Sequence, residues 1–220
     1  MKNKPLILLN FKTYKEASGT KSLILAKKIA AARKNGYEIV IAPSLLTTKE
    51  IVDETNLTVF AQHSDSVELG AHTGWIPAQE LVEIGVKGTI LNHSEHKIPL
   101  KFLAMAIEEC KKNGLVTVVC AATLEEVKKI CALNPDYLAY EPKELIGGDV
   151  SVTTAEPDVI IKAVGLVKKL SPATKVLCGA GVHNKEDLGQ ALLLGTQGVL
   201  IGHSVPKSKD PKHFLEGMLL

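Results

Sequence analysis

Short apolar runs alternate with longer stretches of helical period along the whole chain. Eight runs of four to six residues have the length and composition of buried strands, and they lie at residues 6–10, 38–42, 58–62, 88–93, 116–121, 137–141, 175–178 and 198–201. Between these runs, apolar residues recur every three to four positions, as at Leu25, Ile29 and Ala32. The same spacing returns at Ile160, Ala163 and Val167. The pattern therefore predicts strands and helices in strict alternation.

This alternation favours one α/β domain over residues 1–220. A strand followed by a helix, repeated eight times without a Pro/Gly/Ser-rich linker or a low-complexity tract, is typical of a single (β/α)8 barrel. A doubly wound parallel sheet with additional strands would give a similar alternation, so periodicity leaves that alternative open. The residues at the strand ends distinguish the barrel from the doubly wound sheet.

The charge composition and hydropathy of the chain limit the kinds of partner that we expect it to bind. The chain has 26 basic and 24 acidic residues and a net charge of +2, so it offers no strongly basic surface for nucleic acid. The apolar run at residues 6–9 is far too short for a signal sequence or a membrane span, although lysines flank it. We therefore expect a cytoplasmic protein whose partner is a small molecule, with no role for nucleic acid or membrane.

Cysteine spacing argues against two further classes of site. The four cysteines are Cys110, Cys120, Cys131 and Cys178, and no two of them form a CxxC pair. The sequence therefore spells neither a zinc knuckle nor a dithiol redox motif. We expect these thiols to be reduced and mostly buried.

Polar residues cluster where the predicted strands end. The active sites of (β/α)8 barrels lie at the carboxyl ends of their strands. Six positions at or just after the strand ends carry amide, cationic, imidazole or carboxylate groups, and they are Asn10, Lys12, Gln62, His93, Glu95 and Glu141. The last two strands end in the glycine-containing turns CGAGV and LIGHS, which suit a phosphate site built from backbone amides. We therefore expect a cation, an imidazole, a carboxylate and a phosphate-binding pair of turns at the same end of the barrel, which we call its mouth.

Glu141 has the most informative surroundings. Pro142 follows it and biases it toward extended geometry, and Gly147 and Gly148 come shortly after. A carboxylate at a strand end beneath a closing loop gains basicity when water is expelled. The simpler alternative is a solvated strand-end glutamate, and we consider it less consistent with the Pro and Gly residues that follow.

His93 and Lys12 also have simpler interpretations. A lone strand-end histidine is often a hydrogen-bonded structural residue, and Lys12 could be an ordinary solvated lysine. A metal site made by His93, Glu95 and His96 is a third reading, but successive side chains of an extended segment point apart, and no helical HExxH is present. We therefore favour a metal-free site.

Six strings carry a family resemblance that runs nearly end to end. NFKTY, AQHSDSVELGAHTG, NHSEH, AYEPKELIGG, LCGAGV and GVLIGHSV stand in the order and at the spacing of one family. The chain resembles triosephosphate isomerase in the short form found in archaea, whose fold is the TIM barrel. The resemblance implies interconversion of dihydroxyacetone phosphate and D-glyceraldehyde 3-phosphate in glycolysis and gluconeogenesis, with no metal and no organic cofactor.

The resemblance also implies roles for individual residues. Glu141 would be the base that removes a proton next to the carbonyl, His93 the electrophile and proton shuttle, and Lys12 the fixed cation. The substrate-binding set would be Asn10, Lys12, Ile146, Gly147, Gly181, Gly202 and His203. Gln62 and Glu95 would support the site, and Glu95 is expected either to pair with Lys12 or to hold its own turn.

Two turns depart from the family pattern. The lid at residues 142–154 carries Gly147, Gly148 and Asp149 where Gly-Thr-Gly is usual, and His203 stands where the last phosphate turn usually has a small residue. Both departures bear on phosphate affinity and lid motion, and neither touches the base, the electrophile or the lysine.

The loop at residues 63–77 bears on assembly. By resemblance it docks into a neighbouring subunit, which implies a homodimer, and barrels of this archaeal type often form tetramers. The polar, Gly-rich loop would equally suit a plain surface segment. Trp75, the single tryptophan, is either an interface anchor or merely half-buried.

Two other functions remain open. The glycine turns would suit another phosphate-binding barrel of sugar or amino-acid biosynthesis, although Lys12, His93 and Glu141 would not be expected together there. A sugar-phosphate sensor or an assembly scaffold that lost turnover is the second alternative, and its support is limited to the altered phosphate turns. Turnover of glyceraldehyde 3-phosphate in a coupled assay would distinguish all three.

Overall fold

Eight parallel strands close into a barrel in the computed structural model, which describes residues 4–33, 36–142, 157–179 and 181–219. The strands are β1 (Leu6–Asn10), β2 (Glu38–Ala42), β3 (Thr58–Ala61), β4 (Gly88–Leu91), β5 (Val116–Ala121), β6 (Tyr137–Tyr140), β7 (Lys175–Cys178) and β8 (Gly198–Ile201). Each strand pairs with the next, and β8 returns to β1 with Leu6 opposite Gly198 and Leu9 opposite Ile201. This closure confirms the predicted (β/α)8 barrel and excludes the open, doubly wound sheet.

Helices follow the strands around the outside. They are α1 (Thr20–Ala30), α2 (Leu45–Glu54), α3 (Ala78–Glu83), α4 (Leu100–Lys112), α5 (Leu124–Cys131), α6 (Pro157–Leu170), α7 (Lys185–Leu193) and α8 (Pro211–Leu219), with one 3-10 turn at Lys15–Ala17. No helix in these described parts of the chain is both long and apolar enough to cross a membrane.

Two cores arise from the period-2 alternation of the strands. One cluster contains strand residues only, and it fills the barrel interior: Leu6, Leu8, Val40, Ala42, Phe60, Ile90, Val118, Cys120, Ala139, Leu177 and Leu200. The alternate strand positions, such as Ile7 and Leu9, face outward and pack against buried helix residues such as Leu25 and Ile29. The barrel is therefore a packed core and not a pore, and it forms a rigid base for side chains at its mouth.

Three strands end one or two residues earlier than predicted. β3 stops before Gln62, β4 stops before Asn92 and β6 stops before Glu141. Asn92 has φ +56°, a left-handed conformation that cannot continue a strand. Glu141 still donates its amide to the Ala121 carbonyl at 2.8 Å, but Pro142, which follows it, has no amide hydrogen to extend the ladder. Gln62, His93 and Glu141 thus leave the sheet at the mouth instead of continuing in it.

Side-chain caps define two helix starts near that mouth. The Thr123 hydroxyl accepts from the Glu126 amide at 3.1 Å at the start of α5. The Asn184 side chain accepts from the Asp187 amide at 2.8 Å at the start of α7. Each cap satisfies an amide that the helix leaves without an intrahelical partner, and so fixes the turn that precedes the helix.

The four cysteines are buried, as expected, and none of them forms a disulfide in the described part of the chain. Burial raises the pKa of Cys110 to about 11, and the pKa values of Cys120 and Cys131 are also raised by burial. These thiols are therefore protonated at neutral pH.

Candidate active site

A cavity at the carboxyl ends of the strands gathers most of the predicted site. Its lining residues are Asn10, Lys12, Tyr14, His93, Glu141, Gly179, Gly181, Val182, His183, Leu200, Ile201, Gly202, His203 and Ser204. Gln62 and Glu95 line an adjoining cavity that shares Asn10, Lys12 and His93. Ile146, Gly147 and the departures at Gly148 and Asp149 lie outside the described residues, so their predicted contacts stay predictions.

Lys12 is held in place from several sides. Its backbone has φ +48°, and its amide donates to Asn10 Oδ1 at 2.9 Å. Gln62 Nε2 donates to the Lys12 carbonyl at 3.0 Å and to the Ala42 carbonyl at 2.9 Å. These bonds fix the bend by which the chain leaves β1, and they direct a cation to the barrel mouth.

An ion pair with Glu95 sets the charge state of Lys12. The Nζ atom lies 2.8 Å from Glu95 Oε1, as the sequence suggested. Burial disfavours the charged lysine, but the hydrogen bond and the charge of Glu95 outweigh burial, so the pKa of Lys12 is raised. Lys12 is therefore a permanent positive charge at neutral pH.

Gly202 allows the last strand turn to approach this lysine. A Cβ atom at position 202 would lie 2.8 Å from Lys12 Cε, closer than carbon atoms pack. The glycine therefore places the β8 turn directly against the cation.

His93 presents one defined nitrogen to the cavity. The Glu95 amide donates to His93 Nδ1 at 3.2 Å, so Nδ1 is an acceptor and the proton of the neutral ring resides on Nε2. Burial and the nearby charge of Lys12 lower the pKa of His93 below its ordinary value, and they outweigh the opposing charge of Glu95. The imidazole is therefore neutral and keeps a hydrogen-bond donor at Nε2.

Glu141 faces that donor across 3.6 Å, measured from Oε2 to His93 Nε2. The residue is 4% exposed, and burial raises the pKa of Glu141 to about 7, against the opposing effects of a hydrogen bond from the Cys120 thiol and the charge of Lys12. Oε2 is buried and has no hydrogen-bond partner among the described residues. A desolvated carboxylate of this kind is a stronger base than an exposed glutamate.

Gly179 makes room for that carboxylate. Its amide donates to the Tyr140 carbonyl at 3.0 Å, and a Cβ atom at this position would lie 2.2 Å from Glu141 Cγ. A side chain on residue 179 would therefore displace the base.

Known proteins resemble this chain over nearly its full length. The family profile described as triosephosphate isomerase matches residues 5–218. The chain belongs to the triosephosphate isomerase family.

Relatives named triosephosphate isomerase support the assignment. The protein of Methanothermus fervidus is 38% identical over 218 residues, covering 99% of this chain and 98% of that protein. The protein of Methanocaldococcus jannaschii is 40% identical over 215 residues, covering 97% and 98%. That of Methanosarcina mazei is 39% identical over 216 residues, covering 98% and 97%. The resemblance drawn from the six strings is confirmed, and the chain is an isomerase of this family.

Two residues near the triosephosphate isomerase site were not identified from the sequence. Cys120 had been interpreted only as a buried thiol, although its inward position two residues after Val118 could have placed it beneath the mouth. Asn92 donates through Nδ2 to the Cys120 carbonyl at 2.9 Å and accepts from the Ile98 amide at 3.1 Å. Its place directly before His93 was the available signal, and it holds the turn that carries the imidazole.

The residues of the metal alternative, His93, Glu95 and His96, make other contacts in the structure. His96 stacks on His63, with ring centroids 4.4 Å apart, and does not join the other two side chains. Within the ranges that the structure describes, no three His, Cys, Asp or Glu side chains are grouped as metal ligands.

The loop at 63–77 has a closed base and an exposed tip. The Asp65 amide and the Ile76 carbonyl are joined at 2.8 Å, and the Ile76 amide donates to Asp65 Oδ2 at 2.8 Å. Trp75 is 48% exposed and Leu69 is 49% exposed. The tryptophan is half-buried in the single chain, and its interface role stays a prediction.

Proposed function

We propose that this triosephosphate isomerase family member interconverts dihydroxyacetone phosphate and D-glyceraldehyde 3-phosphate through an enediolate. The observation that carries the proposal is the 3.6 Å approach of the neutral His93 Nε2 to the buried Glu141 Oε2 in a cavity that also contains Lys12. Moving a carbonyl to the adjacent carbon requires a base at one carbon and a proton donor at the oxygens. The cavity holds one of each.

Glu141 acts as the base in this mechanism. Its carboxylate takes the proton from the carbon next to the carbonyl and returns it to the neighbouring carbon. Burial raises the pKa of Glu141 to about 7, so the ionised form has increased basicity and is still available near neutral pH. The buried Oε2, which has no hydrogen-bond partner among the described residues, is the oxygen nearest to the imidazole and is proposed to accept that proton.

His93 acts as the electrophile. Its Nε2–H donates to the substrate carbonyl oxygen and stabilises the negative charge that develops there. The same nitrogen then moves a proton between the two enediolate oxygens. The Glu95 amide at 3.2 Å from Nδ1 holds the ring in the tautomer that this step needs.

Lys12 and Asn10 stabilise the anionic states. Lys12 Nζ is held by Glu95 at 2.8 Å and contributes a fixed charge close to the enediolate and the phosphate. Removing one preorganised donor of this kind typically costs ~3 kcal/mol in the transition state. Gln62 supports Lys12 through its carbonyl at 3.0 Å.

The phosphate group of the substrate binds at the turns after β7 and β8. The amides of Gly181 and of the Gly202–His203 turn are proposed to donate to it. A backbone nest needs N–H groups and not particular side chains, so His203 does not prevent this role. Both turns line the cavity that holds Lys12. Ile146 and Gly147 are proposed to add their amides when the lid closes.

Assembly is proposed to be homodimeric or homotetrameric through the loop at 63–77. Support comes from the exposed Trp75 and Leu69 on a loop whose base is fixed by Asp65. The cytoplasmic location and the single domain over residues 1–220 stay predictions.

The decisive experiment is a coupled assay with glyceraldehyde 3-phosphate on the wild type and on Glu141→Gln. Positioned bases contribute about 10²- to 10⁴-fold in rate, so the variant should lose that much in kcat while it keeps its circular dichroism spectrum and its affinity for phosphoglycolate. Glu50→Gln, at an exposed position of α2, is the matched control and should turn over normally. Near-normal turnover by folded Glu141→Gln would contradict the assignment, and absence of wild-type turnover with retained phosphoglycolate binding would favour a sensor.

A further inference from the structure

Two histidines flank the phosphate end of the cavity. His183 follows the turn after β7, His203 follows the turn after β8, and both line the cavity with Lys12. Ser204 Oγ donates to the Val182 carbonyl at 3.1 Å, and these two residues are the chain neighbours of the histidines. The two turns are therefore joined by a hydrogen bond at the point that carries both imidazoles.

His203 packs against Tyr14, whose ring also contacts two lysines. Its ring meets the edge of the Tyr14 ring, with centroids 6.3 Å apart and planes at 71°. Lys207 Nζ lies 4.4 Å from the Tyr14 centroid, and Lys12 Nζ lies 5.9 Å from it. The Lys207 amide also donates to the His203 carbonyl at 3.1 Å, which fixes the turn. Among the residues that the structure describes, the charged groups over the Tyr14 ring are thus Lys12, which is paired with Glu95, and Lys207.

His183 has one acidic neighbour. Its Nδ1 atom lies 3.8 Å from Asp187 Oδ2, and its amide donates to the same oxygen at 2.9 Å. The His183 side chain is 27% exposed. Asp187 is engaged at the start of α7, so this carboxylate orients the ring from the side of its own helix, and solvent can still reach the imidazole.

We propose that His183 and His203 are protonation-dependent ligands of a phosphate monoester dianion, so that this site binds its ligand more tightly as pH falls. The proposal rests on the proposed function, since it takes the cavity as the phosphate site. Imidazole changes its charge between about pH 5 and 8, and a dianion favours the charged form. Charged imidazoles would add hydrogen bonds and charge to those of Lys12 and the backbone amides.

Sulfate binding tests the proposal directly. Sulfate stays a dianion across this range, whereas phosphate monoesters titrate within it, so the pH dependence of sulfate binding reports on the protein. Glu141 lines the same cavity and burial raises its pKa to about 7, so the part of the pH dependence that Glu141→Gln removes is measured separately and subtracted. Isothermal titration calorimetry at about pH 6 and about pH 8 should give about tenfold tighter binding at the lower pH, or about 1.4 kcal/mol. Repeating the titration in buffers of different ionisation enthalpy should show proton uptake on binding.

Three variants assign the effect. His203→Asn and His183→Asn should each remove part of the pH dependence and of the proton uptake, and the double variant should remove most of what is left after the contribution of Glu141 is subtracted. His213→Asn, an exposed histidine on α8 that does not line the cavity, should behave as the wild type. Unchanged pH dependence in the double variant would overturn the proposal. Tighter sulfate binding by His203→Asn at both pH values would also overturn it, since that result would mean the ring obstructs the site.

The readout is independent of catalysis. Sulfate affinity and proton uptake are measured without turnover, while isomerisation is assayed in the same preparations. A protein that binds sulfate as predicted but has no isomerase activity would refute the proposed function and support the role of the two histidines. A protein that isomerises the substrate but shows no histidine-dependent sulfate binding would support the proposed function and refute that role. If a variant fails to fold, ring resonances of His183 and His203 in the wild type provide the second test, because they must shift on sulfate addition.

Discussion

Replacing Glu141 by glutamine should stabilise the folded protein above neutral pH while it removes the base. The Glu141 carboxylate is 4% exposed, and its Oε2 has no hydrogen-bond partner among the described residues. An ionised group in such a place is disfavoured relative to the unfolded chain, where water solvates it. Glutamine has nearly the same shape and carries no charge, so it removes this cost.

The magnitude follows from the pKa of Glu141, which burial raises from 4.5 to about 7. Each unit of pKa corresponds to about 1.4 kcal/mol, so the ionised carboxylate costs the folded state about 3 kcal/mol. The folded state binds the proton more tightly than the unfolded state does. Below about pH 4.5 the carboxyl is protonated in both states, and the folded protein has its full stability. As pH rises to about 7, the unfolded chain ionises more readily than the folded protein, so the free energy of unfolding falls.

Urea unfolding of the wild type and Glu141→Gln, at matched protein concentration and at several pH values, measures the effect. The difference in unfolding free energy should grow in favour of the variant between about pH 4.5 and 7 and stay constant above. His93, whose pKa is lowered, gives the opposite slope. Because His93 Nε2 lies 3.6 Å from Glu141 Oε2, the same pair is also compared in a His93→Gln background, where that slope is absent. Exposed Glu50→Gln should show no such trend. A difference that is flat with pH would refute the reasoning that burial controls this carboxylate.

Two further substitutions test the surroundings of the base. Gly179→Ala places a Cβ atom 2.2 Å from Glu141 Cγ, so it should displace the carboxylate and lower kcat/KM by roughly 10²-fold. Gly165→Ala in α6, where a Cβ would meet nothing within 4 Å, should keep full activity and gain about 0.5–1 kcal/mol in stability. Lys12→Met removes a partly buried cation and should lower kcat/KM by about 10²-fold, the size of effect typical when a preorganised donor is deleted. Steady-state kinetics measures kcat/KM for Gly179→Ala and Lys12→Met, with Gly165→Ala as the control. Unchanged kcat/KM in Lys12→Met would show that this lysine takes no part in the reaction.

Local periodicity was sufficient to locate the strands because it depends on neighbours two to four positions apart. The predicted bounds of β1, β2, β5, β7 and β8 agree with the structure. The ends of β3, β4 and β6 were predicted one or two residues too late, because polar residues that directly follow the apolar runs were counted with them. At β4 the cause is the left-handed backbone of Asn92, which the alternation of side chains does not reveal.

The chemical groups at the barrel mouth were also available from the sequence. Lys12, His93 and Glu141 follow predicted strand ends, and the parallel barrel brings such ends together wherever it forms. The resemblance carried by the six strings then identified the family. The identity and order of the residues were enough to predict that these side chains lie together, because that prediction requires only that the strands be parallel and consecutive.

Distances, charge states and contacts across the barrel were decided by the tertiary structure. Lys12 and Glu95 are separated by 83 positions, yet their side chains meet at 2.8 Å. The raised pKa of Glu141 depends on burial among β5, β6 and the turn at Gly179, and the hydrogen bond between Ser204 and Val182 joins two turns 22 positions apart. Sequence pattern specifies which face of each element is apolar, but electrostatic energies depend on separation and on exclusion of water, and both are set only when the barrel closes.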